Sequence, residues 1–141
     1  MKNLSNHVDN ILAESLDGFA AAHADILTLG IEREFVRRKH IKPGKVALIS
    51  GGGSGHEPLH AGFVGYGMLD AACPGQIFTS PTPNQMLNAA QAVDGGAGVL
   101  FIVKNYSGDM MNFQMAAEML DKENAIVIVN DNIAEKDSTN T

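Results

Sequence analysis

The stretch Gly51-Gly52-Gly53-Ser54-Gly55-His56-Glu57-Pro58-Leu59-His60 concentrates groups that could do chemistry, and it admits three readings. Its glycines could cradle a phosphate. Its His56-Glu57-Pro58-Leu59-His60 matches the zinc-protease pattern H-E-x-x-H. Alternatively, a tight backbone loop could present one histidine to a small polar substrate.

The nucleotide templates fail on spacing. A P-loop needs lysine after the last glycine, and His56 follows Gly55; a dinucleotide fingerprint begun at Gly51 meets His56 where its third glycine belongs. Four glycines in five residues still exceed what a turn requires, and at a helix N-terminus they would leave N–H groups open to an oxygen-rich guest. The zinc reading needs both histidines on one face inside a helix. Pro58 opposes this, because an interior proline removes a hydrogen bond and clashes one turn back, costing about 3 kcal/mol. Pro58 suits a helix first turn, which leaves His56 on the loop and makes His60 a packed helix residue. His7, His23 and His40 are expected at the surface.

His56 then has companions in a second polar stretch, Lys104-Asn105-Tyr106-Ser107-Gly108-Asp109. An imidazole, an ammonium and a carboxylate beside open backbone N–H groups suit recognition of hydroxyls and a carbonyl. They also suit acid–base work on a hydroxyl proton. The plain alternative for Asp109 is a helix cap before Met110.

These groups must be positioned by regular elements. Residues 4 to 22 carry Leu4, Val8, Ile11, Leu12, Ser15 and Phe19 at helical spacing. Pro43-Gly44 is a turn, and residues 45 to 50 read as a buried strand. Residues 70 to 78 hold a short strand broken at Pro74-Gly75, followed by the rigid polar loop Thr79-Ser80-Pro81-Thr82-Pro83. Helices are expected over 84–93 and 110–122, with buried strands over 98–103 and 125–129. Residues 27–29 and 33–36 are ambiguous. Strand, loop, helix, strand repeats, and the strands are continuous apolar runs. The expected fold is therefore α/β: one domain with a mostly parallel sheet and helices on both faces. Ligands bind such sheets at the carboxyl ends of the strands, so the loops after residues 50, 103 and 129 should meet at one edge. His56 and Asp109 should then face a shared cavity.

Composition narrows the function classes. At 141 residues the chain suits one ordinary domain, and 45% hydrophobic with 18% charged residues make it globular. A net charge of −6 opposes nucleic acid or an anionic membrane as partner. The basic clump Arg33, Arg37, Arg38, Lys39, Lys42 and Lys45 is interspersed with Glu32 and Glu34 and reads as a solvated face. The one cysteine, Cys73, reads as a small buried apolar residue. No stretch has the length of a membrane span or signal peptide, so a cytoplasmic protein is expected.

Five motifs in register then resemble one family. They are Gly51 to Pro58, Cys73-Pro74-Gly75, Phe78-Thr79-Ser80-Pro81-Thr82-Pro83, Val93-Asp94-Gly95-Gly96 and Lys104 to Asp109. Together they closely resemble the substrate-binding K subunit of dihydroxyacetone kinase, over essentially the whole chain. The resemblance implies a sugar site without a bound nucleotide, and the misplaced Pro58 and the two failed nucleotide templates lead us to expect no metal or other cofactor in this chain. Gly53, Ser54, Gly55, His56, Lys104 and Asp109 would bind dihydroxyacetone, with His56 and Asp109 in acid–base roles. It further implies a homodimer. A nucleotide-binding L subunit would supply the phosphoryl group, recharged through the M subunit of the phosphotransferase system. The family also attaches the substrate carbonyl to a histidine much further along, in a continuation of roughly another domain's length. The 141 residues thus resemble the N-terminal portion and are expected to lack that histidine. A dihydroxyacetone-sensing paralogue that regulates transcription through a partner is the alternative.

Overall fold

The computed structural model describes residues 4–130. Six strands form one sheet: β1 (Leu27–Leu29), β2 (Val36–Arg38), β3 (Ala47–Ser54), β4 (Ala71–Ile77), β5 (Val99–Lys104) and β6 (Asn124–Val129), in the order β1-β2-β4-β3-β5-β6. The four strands β4, β3, β5 and β6 run parallel, and β2 and β1 add an antiparallel edge. Among the described residues there are three α-helices: α1 (Ile11–Ala22), α2 (Pro83–Val93) and α3 (Ser107–Met119).

The expected α/β architecture is found, with a core on each face of the sheet. Met86, Ala89, Ala90 and Val93 form the buried stripe of α2, while Phe113 and Ala116 of α3 join them over Ile49, Phe101 and Val103. Phe101 and Phe113 meet edge to face at 5.6 Å. On the opposite face Leu16, Phe19 and Ala20 of α1 pack against Leu27, Val36, Val64, Leu69 and Ala72. The α2 start is set by Thr82 and Gln85, which form a reciprocal capping box ahead of Pro83 at the first turn.

Several boundaries differ from the sequence reading. The first helix starts at Ile11 rather than near residue 4, after a 3-10 turn over Val8–Asn10; Leu4 and Val8 are exposed and have no apolar surface to hold them in a helix. The ambiguous segment 33–36 contributes β2 only from Val36. The third strand does not stop at Ser50 but runs through the glycines to Ser54. Those residues are glycine because neighbouring backbone crowds them: a Cβ on Gly53 would stand 2.6 Å from the Thr79 nitrogen. The fourth strand is not broken at Pro74-Gly75. Pairing with β2 ends at Ala72, so Pro74 occupies a locally free edge where its missing N–H breaks no ladder on that side. Asp131 and Asn132, expected to close the last polar loop, lie outside the described residues.

Two other expectations meet different outcomes. Cys73 is fully buried, and burial pushes its thiol far above the ordinary range. The basic clump, by contrast, is not simply a solvated face. Arg38 Nη1 lies 3.1 Å from Asp70 Oδ1, and Lys45 pairs with the other oxygen of the same buried carboxylate. Among the described residues no helix is long and apolar enough to cross a membrane.

Candidate functional site

Parallel strands deliver their C-terminal ends to one edge, and three of them matter here. β3 leads into Gly55 and His56. β4 leads into Phe78, Thr79 and Ser80. β5 ends on Lys104 and feeds α3, whose first turn carries Asp109. Cross-links tie these segments together. The Phe78 N–H donates to the Ser54 carbonyl at 2.8 Å, and the Asn112 amide donates to the Pro81 carbonyl at 2.9 Å. The Asn105 amide reaches the Asn130 side-chain oxygen, at the end of β6, at 2.8 Å.

Asp109 is not a loop cap. Tyr106 is the N-cap of α3, and Asp109 sits on the buried stripe of the helix, in line with Phe113 and Ala116. It is fully buried, and neither carboxylate oxygen has a hydrogen-bond partner of ordinary geometry. Burial pushes its pKa up, opposed by the nearby Ser80 hydroxyl, Lys104 and His56. Lys104 is half-buried, and burial lowers its pKa while Asp109 pulls it back up. Its Nζ stands 4.8 Å from the Tyr106 ring centroid.

His56 is partly buried, with Nε2 buried and unpartnered, and its ring meets Phe78 edge to face at 5.2 Å. Helix formation at Pro58 does not occur. Residues 57–60 form turns leading to the 3-10 turn Ala61–Phe63, because Gly62, Gly65 and Gly67 make a poor helix. The H-E-x-x-H pattern therefore has no helix to align it. Among the described residues no three His, Cys, Asp or Glu side chains converge as metal ligands.

His60, read as a packed helix residue, instead belongs to the site. A Cβ on Gly52 would stand 2.6 Å from His60 Cε1 and 3.0 Å from Lys104 Nζ, so both side chains rest on that glycine. Burial first, then Lys104 and His56, lower the His60 pKa to about 4, leaving it neutral at pH 7. The signal available in the sequence was Gly52 itself, since a glycine inside a strand marks a close approach.

This shift has a measurable consequence. Unfolded, His60 titrates near 6.5; folded, near 4. Above pH 6.5 both states leave it neutral, and between 6.5 and 4 only the unfolded state takes the proton. Folding stability should therefore fall by about 3 kcal/mol as pH drops through that window. Urea unfolding of wild type and His60→Gln across the window measures it, and equal slopes would refute the assignment.

Two cavities flank the cluster. One of about 650 Å³ includes Ser50, His60, Ile102, Lys104 and Tyr106 in its wall, and one of about 560 Å³ lies between α1 and Gly52–Gly55. His60 lines both; His56 and Asp109 line neither. The structure thus brings both His56 and Lys104 into electrostatic range of Asp109, with His56 and Asp109 set back from these openings. The loop N–H groups are also not all open, because Gly55 N–H donates to the Glu57 carboxylate at 3.1 and 3.2 Å. The helix N-terminus expected beside them is absent, since Gly52–Ser54 are strand.

Residues 17–141 match the family model of the Dak1 domain. The dihydroxyacetone-binding subunit of PTS-dependent dihydroxyacetone kinase 1 from Listeria innocua is 49% identical, aligned over 100% of this chain and 44% of its own. The native crystal structure of the C. freundii dihydroxyacetone kinase superposes with a TM-score of 0.88 at 41% identity, over 99% of this chain and 27% of that one. A second solved structure, the dihydroxyacetone kinase operon co-activator Dha-DhaQ, gives 0.80 at 35% identity, over 85% and 38%. The chain spans about two fifths of the length of the curated relatives it matches.

Proposed function

The chain belongs to the Dak1 domain family, and on that footing we propose that it is the dihydroxyacetone-binding part of a dihydroxyacetone kinase subunit. The observation that carries this reading is a buried carboxylate and a buried imidazole nitrogen, both unpartnered, at the same sheet edge as a half-buried lysine. Leaving a buried polar group unpaired costs about 1–3 kcal/mol. A small polyhydroxy ligand offers what these atoms lack.

The roles follow from the chemistry. Asp109 accepts the proton of the reacting hydroxyl, a task that suits a carboxyl whose proton affinity burial has raised. His56 acts as the second acid–base group. Lys104 orients the substrate by charge, and the backbone of Gly53, Ser54 and Gly55 contacts substrate oxygens. As the hydroxyl oxygen bonds to phosphorus, the donor P–O bond breaks and the leaving group stays with its carrier. Such a transfer asks chiefly for positioning and charge stabilisation. In this reading the donor sits on a partner subunit, recharged through the phosphotransferase system, and the working protein is a cytoplasmic homodimer.

Mixing the full-length protein with its phosphoryl-bearing partner and dihydroxyacetone should yield dihydroxyacetone phosphate. The co-activator likeness supports a second reading, in which the same site senses the sugar without transferring phosphate. Sugar binding with no product would establish that reading and overturn the first.

A further inference from the structure

Within the motif Phe78 to Pro83, Ser80 stands beside Asp109 and Thr82 caps α2. The motif's first residue has unusual geometry. Phe78 has φ +51°, a region that bulky side chains avoid, and the residue is 56% exposed and belongs to neither core. A strained backbone and an exposed aromatic ring are both unfavourable in themselves. The surroundings nevertheless enforce them.

Three glycines clear the way for this turn. A Cβ on Gly53 would stand 2.9 Å from the Phe78 backbone, and one on Gly75 would strike the Thr79 carbonyl. A Cβ on Gly55 would stand 2.7 Å from the Phe78 ring. The Phe78 N–H to Ser54 carbonyl bond and the Ser54 hydroxyl to Gly75 carbonyl bond, at 2.8 and 2.7 Å, then lock the turn onto the end of β3. Strain of this kind persists where the neighbourhood over-determines it, and it gathers at working sites. Here the result is a ring laid edge to face against His56, 5.2 Å between centroids.

We propose that Phe78 is a positioning residue for His56: its ring fixes the imidazole orientation and covers it from water. The contact accounts for a glycine at 55 and for an aromatic residue left in solvent. It does not act through charge. The titratable groups in electrostatic reach of the imidazole, His60 and Asp109, lie outside the Phe78 turn and remain in place when Phe78 changes. The consequence for rate rests on the kinase reading above; the consequence for the imidazole does not.

The test compares full-length wild type, Phe78→Gly and Phe78→Tyr. Glycine takes φ +51° freely, so Phe78→Gly should keep its unfolding midpoint while losing the ring. In NMR spectra the His56 ring protons should lose their aromatic ring-current displacement in Phe78→Gly and keep it in Phe78→Tyr. With the phosphoryl-bearing partner, kcat should fall at least about tenfold in Phe78→Gly, as displacement of a catalytic group does, with KM little changed. Phe78→Tyr should stay near wild type. Unchanged imidazole signals in Phe78→Gly would overturn the proposal, and so would an unchanged kcat. If wild type itself makes no sugar phosphate, the kinase reading fails, and the imidazole signals still decide the role of Phe78. Should Phe78→Gly fail to fold, Phe78→Asn, also tolerant of this backbone region, carries the same comparison.

Discussion

Asp109→Asn in the full-length protein is expected to lower dihydroxyacetone phosphorylation by about 10²–10⁴-fold while leaving the fold as stable or more so. The two effects have one cause. A buried carboxylate with no hydrogen-bond partner of ordinary geometry beyond the nearby Ser80 hydroxyl is an unfavourable place for charge, which is why burial raises its pKa. For such an acid the folded state holds the proton more tightly than the unfolded state. Its contribution to stability is therefore lost as pH rises from the ordinary carboxylate range through the raised value. Asparagine keeps the shape and removes the charge, so that loss should vanish. In the proposed reading, removing the same charge also removes the proton acceptor. Kinetics with the partner subunit, paired with urea unfolding from pH 4 to 8, measure both. Wild-type turnover would take Asp109 out of the chemistry, and a marked loss of stability would show that the carboxylate is structurally paired.

The second large effect concerns the scaffold at the other end of the strands. Asp70→Ala should destabilise the protein by about 3 kcal/mol. Asp70 is buried, with side-chain exposure of 3%, and receives Arg38 at 3.1 Å, Lys45, and the Leu48 N–H at 2.8 Å. Its main chain bonds Arg38 and Leu48 as well, so one residue joins β2 and β3 to the start of β4. Alanine would leave a 12%-exposed guanidinium and a backbone donor without their acceptor. The figure sits at the lower end for a broken buried pair because Lys45, 28% exposed, can turn to water. Denaturant unfolding of Asp70→Ala against Asp70→Asn, which keeps an acceptor for Leu48, tests this. A shift below 1 kcal/mol would mean that the network does not hold the sheet together.

The parts of this molecule legible in sequence are those where one local rule dominates. Residues 99–103 are an unbroken apolar run, and Thr82-Pro83-Asn84-Gln85 carries its own start signal, so β5 and α2 fall near their expected places. Reading failed where a residue answers to a distant neighbour. Gly51 to Gly53 suggest a loop by type, yet they lie in β3, paired alongside β4, and are glycine because Cys73, His60 and Thr79 press on them. His60 looks like one residue of a helix because the proline before it suits a first turn. Its actual position depends on Gly52 and Lys104, the second of which lies in another strand. The ion-pair role of Arg38 and Lys45 was hidden because their partner, Asp70, lies 32 and 25 residues away. His56, Lys104 and Asp109 were recoverable as a group because parallel topology alone sends their segments to one edge.

The alternation along β5 has a consequence for how this protein could be altered. Val99, Phe101 and Val103 face the helices and are buried, whereas Leu100, Ile102 and Lys104 are only half-buried, and the last two border the 650 Å³ cavity. A randomised library at residue 102, together with Leu48 and Ser50 on the neighbouring strand, would reshape that cavity from its floor. It would leave the aromatic pair Phe101–Phe113 untouched. Odd-numbered positions of the same strand offer no such freedom, since each change there opens a void under α2 or α3, and Phe101→Ala alone would cost about 3–5 kcal/mol. A selection for altered binding in that cavity should therefore accumulate its accepted changes at residue 102 rather than at 101 or 103. The strand keeps its fold with one set of side chains and remains open to evolution with the other.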